Sequence, residues 1–230
     1  GLGERPGPAT AEMTAFRPGH GRTNEQGLYL FSLALQDGIE RCLEVGAYWG
    51  QGSTLCLGLA LKAKGRGRLI SLEAHPSRAS RAQAFVGTNG LPVEILNRFS
   101  VRFDDYPDAG DPIYRDWWDD HEMDRTAKRP VGEYSSVPDD GLRFAIETYR
   151  LANRLDLVLL DGSEYNAREE YRIVAPQIRP GGYLVLDDTN PRRSRKNVAT
   201  AAILRGDPAW EILLATWRMR NGLLIARRRV

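Results

Sequence analysis

A chain of 230 residues, 42% apolar, is long enough to bury a core of its own and suits a single α/β domain. Its 32 Lys and Arg stand against 30 Asp and Glu, a net charge of +2 that is too balanced to point to a nucleic-acid or membrane-surface protein. No run of about 20 apolar residues occurs and Gly1-Leu2-Gly3-Glu4-Arg5-Pro6-Gly7-Pro8 lacks the apolar stretch of a signal peptide, so a cytoplasmic protein is expected. Two cysteines, Cys42 and Cys56, are too few for a zinc site and are expected as buried thiols.

In chain order, the Pro- and Gly-rich residues 1–22 read as a flexible arm before a domain spanning 23–230. Thr23-Asn24-Glu25-Gln26 has the spacing of a capping box and opens a helix through about Gln36. A strand over 41–45 then runs into the turn Gly46-Ala47-Tyr48-Trp49-Gly50-Gln51-Gly52, and Ser53 starts a helix to about residue 64. Glycines at 46, 50 and 52 admit positive φ and close approach of a ligand, and Ser53 or Thr54 is placed to cap the helix. The glycines follow G-x-x-x-G-x-G rather than the dinucleotide pattern G-x-G-x-x-G, and an acid, Glu44, precedes the first of them by two residues.

Further strands are expected over 68–73, 93–97 and 156–161, with helices over 77–87, 140–153 and 166–177 between or after them, as in a parallel sheet. The strand 68–73 ends in Glu73, placed to accept both hydroxyls of a ribose or else to sit solvated at the strand end. Residues 103–140 hold twelve acids against four Lys or Arg, with Tyr106, Tyr114, Trp117, Trp118 and Tyr134 interleaved. That length without regular elements suits a lid over an acceptor pocket, a surface insertion or the contact of a homo-oligomer. The same acidic stretch would repel a polyanion at this edge. The strand 156–161 ends at Asp161-Gly162, and Arg179-Pro180-Gly181-Gly182-Tyr183-Leu184-Val185-Leu186 leads to Asp187-Asp188. Three carboxylates at one sheet edge repel unless a cation or protons offset them, and oxygen ligands suit Mg²⁺, Ca²⁺ or Mn²⁺. The turn-capping use of Asp187 or Asp188 is the plainer alternative. The basic run Arg192-Arg193-Ser194-Arg195-Lys196 either faces an anionic substrate group or starts a solvated helix. Two β-like runs, 210–217 and 223–228, are joined through Asn221-Gly222, a hairpin signal that a dinucleotide domain with a parallel last strand lacks.

The acid-x-G-x-x-x-G turn resembles that of class I S-adenosylmethionine-dependent methyltransferases. The Asp161-Gly162-Ser163-Glu164-Tyr165 and R-P-G-G-Y-L-V-L-D-D stretches resemble the metal-dependent O-methyltransferases, the macrocin type most closely, and the cephalosporin-hydroxylase-like group. The resemblance implies a Rossmann-like, doubly wound α/β fold with a mostly parallel seven-stranded sheet, a C-terminal antiparallel hairpin and an inserted lid at about 103–140. It implies that Glu44, Gly46, Tyr48, Gly50, Gly52, Ser53, Glu73 and Asp161 hold S-adenosylmethionine; where relatives carry a small residue and an acid after the third strand this chain reads Asn97-Arg98-Phe99-Ser100, a departure that leaves Ser100 or a residue of the lid to take the adenine contact. It implies Mg²⁺ on Asp161, Asp187 and Asp188; the acceptor, on which the resemblance is silent, is expected to be a small molecule, anionic or glycosylated, methylated on a hydroxyl. Relatives carry a Lys or His three residues after the first metal acid; here Glu164 stands there, as the base or as a further ligand. His121 in the insertion and His75 are the other candidate bases, and His20 has the weakest claim. A hydroxylase on the same fold and a non-catalytic donor-binding module are the alternative functions.

Overall fold

The computed structural model describes residues 24–111, 123–124, 126–163, 165–194, 196–219 and 221–229. The expected arm, Thr23 of the capping box, Tyr114, Trp117, Trp118, His121, Glu164 and Arg195 lie outside the described residues.

The elements are α1 (Asn24–Leu35), β1 (Arg41–Val45), α2 (Ser53–Lys64), β2 (Arg68–Leu72), α3 (Pro76–Thr88), β3 (Val93–Leu96), β4 (Met123–Asp124), β5 (Arg129–Pro130), α4 (Gly141–Thr148), β6 (Leu155–Leu160), α5 (Ala167–Val174), β7 (Ile178–Asp187), α6 (Val198–Gly206), β8 (Trp210–Thr216) and β9 (Leu223–Arg228). The main sheet runs β3-β2-β1-β6-β7-β9-β8, and β4 pairs only with β5. Strands β1, β2, β3, β6 and β7 are parallel, whereas β9 is antiparallel to both β7 and β8. The chain order reverses between β1 and β6, and at such a switch point the loops beyond the strand ends diverge and leave a crevice.

Both faces of the sheet are covered, so its strands are apolar on both sides. On one face Leu43, Val158, Leu160, Leu184, Leu186, Leu224 and Ala226 pack with Leu142, Tyr171, Val174 and Leu204 from α4, α5 and α6. On the other, Cys42, Leu157, Leu159, Tyr183, Val185 and Ile225 pack with Leu30, Leu33, Cys56, Leu57 and Leu61 from α1 and α2. The alternation along each strand is the period of two that a pleated strand imposes. Both cysteines are free thiols and buried, with burial pushing each up to about 12. Among the described residues no helix is long and apolar enough to cross a membrane.

Several elements differ from their expected bounds for local reasons. The helix expected over 140–153 stops at Thr148, because Arg150 and Asn153 take the left-handed conformation, at φ 55° and 54°. The helix expected to residue 177 tightens into a 3₁₀ turn at Ala175–Gln177, where Pro176 cannot continue the α-helical ladder. Asn221-Gly222 does not form a two-residue hairpin turn: β8 and β9 are joined by residues 217–222. Gly222 (φ 92°) is instead pressed against the chain after β7, where a Cβ would lie 2.8 Å from the amide nitrogen of Asn190. Helix α6 (Val198–Gly206) follows the basic run, as the helix-start reading of that run expects, although the sequence pattern does not set its bounds.

At the opposite edge of the sheet, the fully buried Asp156 ties β6 to its neighbours. Its Oδ2 accepts the amides of Glu40 (3.0 Å) and Arg41 (2.8 Å), and the guanidinium groups of Arg41 and Arg179 complete the shell. These donors hold its carboxyl below the usual range against the opposing effect of burial. Truncation would leave two partly buried guanidinium groups and two amides without their acceptor. Asp156→Ala is therefore expected to cost about 2–3 kcal/mol, since both arginines keep some solvent. A urea titration should show a lower midpoint with an unchanged slope.

Candidate active site at the carboxyl edge of the sheet

The turn after β1 is stitched to its two neighbouring strands. The amides of Gly46 and Ala47 both donate to the Leu72 carbonyl, at 2.9 and 3.0 Å, and the Asp161 amide donates to the Val45 carbonyl at 3.0 Å. Gly46 has φ 97°, and a Cβ on it would lie 2.3 Å from the Asp161 carbonyl oxygen, so no other residue fits there without moving β6. Gly50 (φ 74°) brings the turn against Ala82 of α3.

Neither Ser53 nor Thr54 caps α2; Gly52 occupies the N-cap without a side-chain hydrogen bond. The hydroxyl of Thr54 turns inward, and it and Ser71 each donate to Glu44 Oε2 at 2.6 Å. Glu44 is fully buried beneath the turn. Burial raises its pKa from 4.5 to about 7, against the downward pull of the Ser53, Ser71 and Thr54 hydroxyls. Its work in this structure is to brace the turn from below.

Glu73, the residue after β2, faces the same crevice. Its Oε2 accepts the Tyr48 amide (2.7 Å) and its Oε1 the His75 amide (2.9 Å), which fixes the carboxylate and leaves each oxygen a further lone pair. Burial raises its pKa, opposed by those two amides and by Arg78. Tyr48 reaches this position in the left-handed conformation (φ 52°), and its exposed ring stacks on Trp49 with centroids 4.7 Å apart. Asn97 Nδ2 supports the region from β3 by donating to the carbonyls of Glu73 and Ala74, at 2.8 and 2.9 Å.

Ser100 donates to Glu170 Oε1 at 2.6 Å, and burial pushes the Glu170 carboxyl up to about 7. Gly162 is glycine for the same reason of space: a Cβ would meet Glu170 Oε1 at 2.6 Å. His75 precedes α3 as its N-cap residue, and its Nε2 lies 3.2 Å from Glu133 Oε1 while its ring meets Tyr134 edge-on at 5.4 Å. It fastens the 103–140 segment beside Glu73. Tyr106 and Tyr134 are buried with Phe99 and Phe103, so these two aromatics of the segment belong to the core.

The acids beyond β6 and β7 are brought together around a lysine. Lys196 Nζ lies 2.8 Å from Asp161 Oδ1 and 3.1 Å from Asp188 Oδ2. Asp187 faces elsewhere: its Oδ1 accepts the Asp188 amide at 2.8 Å, and it is hydrogen-bonded to Gln26 of α1. Burial, then repulsion from Asp161, pushes Asp187 up to about 7. Asp188 is in the left-handed conformation (φ 57°), and its Oδ1 is buried with no hydrogen-bond partner among the described residues. Also among the described residues, no group of three or more His, Cys, Asp or Glu is gathered as a metal ion would need. The three acids singled out for Mg²⁺ therefore do not fit it in this arrangement, because an ammonium stands between two of them and the third points to α1.

A groove of about 430 Å³ on the outer face between α4 and α5 is lined by Gln177 and by Arg143 and Arg172, which both pair with Glu169, and is not part of this edge.

Residues 43–189, well over half of the chain, match the family described as methyltransferase domain. The chain belongs to that family. No curated protein matches it. Among solved structures it is similar to an O-methyltransferase from Bacillus cereus in complex with SAH, at 19% identity over 96% of this chain and 88% of that one (TM-score 0.61). A putative O-methyltransferase from Klebsiella pneumoniae is similar at 18% identity over 98% and 92% (TM-score 0.61). The O-methyltransferase TomG from Streptomyces achromogenes, involved in tomaymycin synthesis and in complex with SAM, is similar at 18% over 96% and 87% (TM-score 0.58). At these identities the likeness is one of fold, and the fold is the class I methyltransferase arrangement of a seven-stranded sheet with a terminal antiparallel hairpin.

Sequence reasoning for this methyltransferase singled out Glu44, Gly46, Glu73, Asp161, Asp187 and Asp188, and all stand at or just below one edge. It missed Glu170 and Asn197 altogether. It took Lys196 only as one charge of a basic run, and the signal for its inward turn was the asparagine beside it.

The buried Glu44 generates a pH prediction. Its folded pKa lies above its unfolded value, so the stabilisation it carries is complete below about pH 4.3 and is lost as pH rises through about 7. The loss is on the order of 3 kcal/mol, at about 1.4 kcal/mol per unit. Glu44→Gln, which cannot ionise, should flatten that part of the curve, so that thermal melts of variant and native protein lie close together in acid and diverge as pH rises to neutral, where the native protein has lost stability that the variant keeps.

Proposed function

We propose that this methyltransferase moves the methyl group of S-adenosylmethionine to a hydroxyl of a small molecule, a sugar or another secondary metabolite. The observation that carries the donor assignment is the Glu73 carboxylate, fixed by the Tyr48 and His75 amides beside the glycine turn, with acceptor capacity left on both oxygens. Vicinal ribose hydroxyls match it, and the turn, kept clear by Gly46 and Gly50, takes the rest of the donor. The solved neighbours named as O-methyltransferases with SAH or SAM support the same donor and an oxygen acceptor. The acidic 103–140 segment supports a small acceptor over a nucleic acid.

S-Adenosylmethionine supplies an electrophilic methyl carbon on a sulfonium. The protein must hold the acceptor oxygen in line with the carbon–sulfur bond, and closeness contributes most of the rate. The oxygen lone pair forms the new carbon–oxygen bond, the carbon–sulfur pair leaves to sulfur, and the hydroxyl proton passes to a carboxylate of this edge. Asp188, whose Oδ1 is buried and without a hydrogen-bond partner among the described residues, can serve as that acceptor only once the edge opens to admit the hydroxyl. Glu164 and His121 keep their candidacy from the sequence. No step is assigned to Mg²⁺, since Lys196 stands between Asp161 and Asp188.

Isothermal titration of the full chain should show micromolar binding of S-adenosylmethionine and its demethylated product, and none of NAD. Glu73→Ala should weaken that binding about 10- to 100-fold, the loss of hydrogen bonds to a charged group. NAD binding, or equal affinity of the variant, would overturn the donor assignment.

A further inference from the structure

Three carboxylates placed at the ends of two adjacent strands need positive charge nearby, and this chain supplies one from a lysine side chain of its own. Lys196 is mostly buried, with a side-chain exposure of 12%, and its Nζ bridges Asp161 and Asp188. A lysine pays little for flexibility when its neighbour is pinned, and here the neighbour is. Asn197 is fully buried, and its Nδ2 donates to the Leu160 carbonyl (2.9 Å) and to the Asp187 carbonyl (2.7 Å), the last carbonyls of β6 and β7. Its own carbonyl accepts the Ala201 amide (2.8 Å) and so begins α6. One side chain thus clamps the two strands that carry the acids and delivers the preceding residue over them. The exposed reading of the basic run does not apply to its last member.

The ammonium does not satisfy the whole site. Asp188 Oδ1, on a residue 9% exposed, has no hydrogen-bond partner among the described residues. The carboxylate is therefore held by one oxygen, with the other buried and unpaired among the described residues beside a fixed positive charge.

We propose that Lys196 is the resident cation of the acceptor site: its tethered ammonium takes the position between Asp161 and Asp188 that a divalent ion would otherwise fill. The cation is then part of the chain, and the edge works without a metal. The inference extends the proposed methyl-transfer site, but its decisive measurement does not use methyl transfer.

The test uses Mn²⁺ as a probe of the acids, by electron paramagnetic resonance of the free ion, on the metal-stripped full chain. Native protein should not deplete free Mn²⁺ at sub-millimolar concentration, and its melting temperature should not respond to Mg²⁺ or Mn²⁺. Lys196→Met removes the charge but keeps the apolar stem, and opens an all-oxygen site of the kind hard cations bind. It should gain one Mn²⁺ per chain, at least about tenfold tighter than any native binding, and melt at a lower temperature that added Mn²⁺ restores. Lys196→Arg, which retains the positive charge, should behave as native and serves if the methionine variant does not fold. Stoichiometric Mn²⁺ binding by native protein would overturn the proposal, as would a failure of the folded Lys196→Met protein to gain any. S-Adenosylmethionine titrated into the same samples keeps the two readings apart: its failure to bind native protein would sink the donor assignment while leaving the Mn²⁺ comparison intact.

Discussion

The carbonyl oxygen of Asp161 occupies the space that any side chain on residue 46 would need. Strands β1 and β6 meet there at the point where the sheet reverses its order, and the rest of the edge is arranged around that approach. Because Gly46 permits it, the amides of Gly46 and Ala47 reach the Leu72 carbonyl on one side while the Asp161 amide reaches the Val45 carbonyl on the other. Glu73 and Asp161, which lie 88 positions apart in the chain, become the two walls of one crevice. Buried hydrogen bonds between loops are what convert three parallel strands into a site of fixed shape.

The second organising problem is negative charge. Glu44, Glu73, Asp161, Glu170, Asp187 and Asp188 crowd a small region, and they are settled in several ways. Hydroxyls hold Glu44, amides hold Glu73, a serine holds Glu170, and a helix side chain with a neighbouring amide holds Asp187. Burial drives Glu44, Glu170 and Asp187 toward their neutral forms near neutral pH. Asp161 and Asp188 retain a permanent counter-charge in Lys196. The local arrangement keeps repulsion from opening the edge without neutralising the two acids that face the crevice.

Most of the fold was legible because its strands are short apolar runs ending in a glycine or an acid, and such ends recur only where strands share a functional edge. β1 and β6 could be placed to within a residue from Val45-Gly46 and Asp161-Gly162 alone. What escaped was tertiary. The inward turn of Thr54 to Glu44 looks like a cap in one dimension, since a threonine at a helix start ordinarily bonds the helix amides. The Asn221-Gly222 pair looks like a tight turn, yet its glycine answers to a contact with Asn190, 32 positions earlier. Lys196 looked like surface charge because nothing local says which lysine of a basic run turns inward; Asn197 decides it, through two carbonyls on different strands.

Strand β9 lies between β7 and β8 although it comes last of the three in the chain. Its residues pair with β7 up to Asp187↔Leu223, and the connection before it hydrogen-bonds to Thr189 and Asn190. During synthesis β7 is consequently an unpaired sheet edge, apolar on both faces, until β9 leaves the ribosome, and a strand in that state is open to wrong partners. Asp187 and the residues just after it are held in place by the last strand of the sheet to be made, so the β1–β2 side of the edge can take shape before its β7 side is fixed.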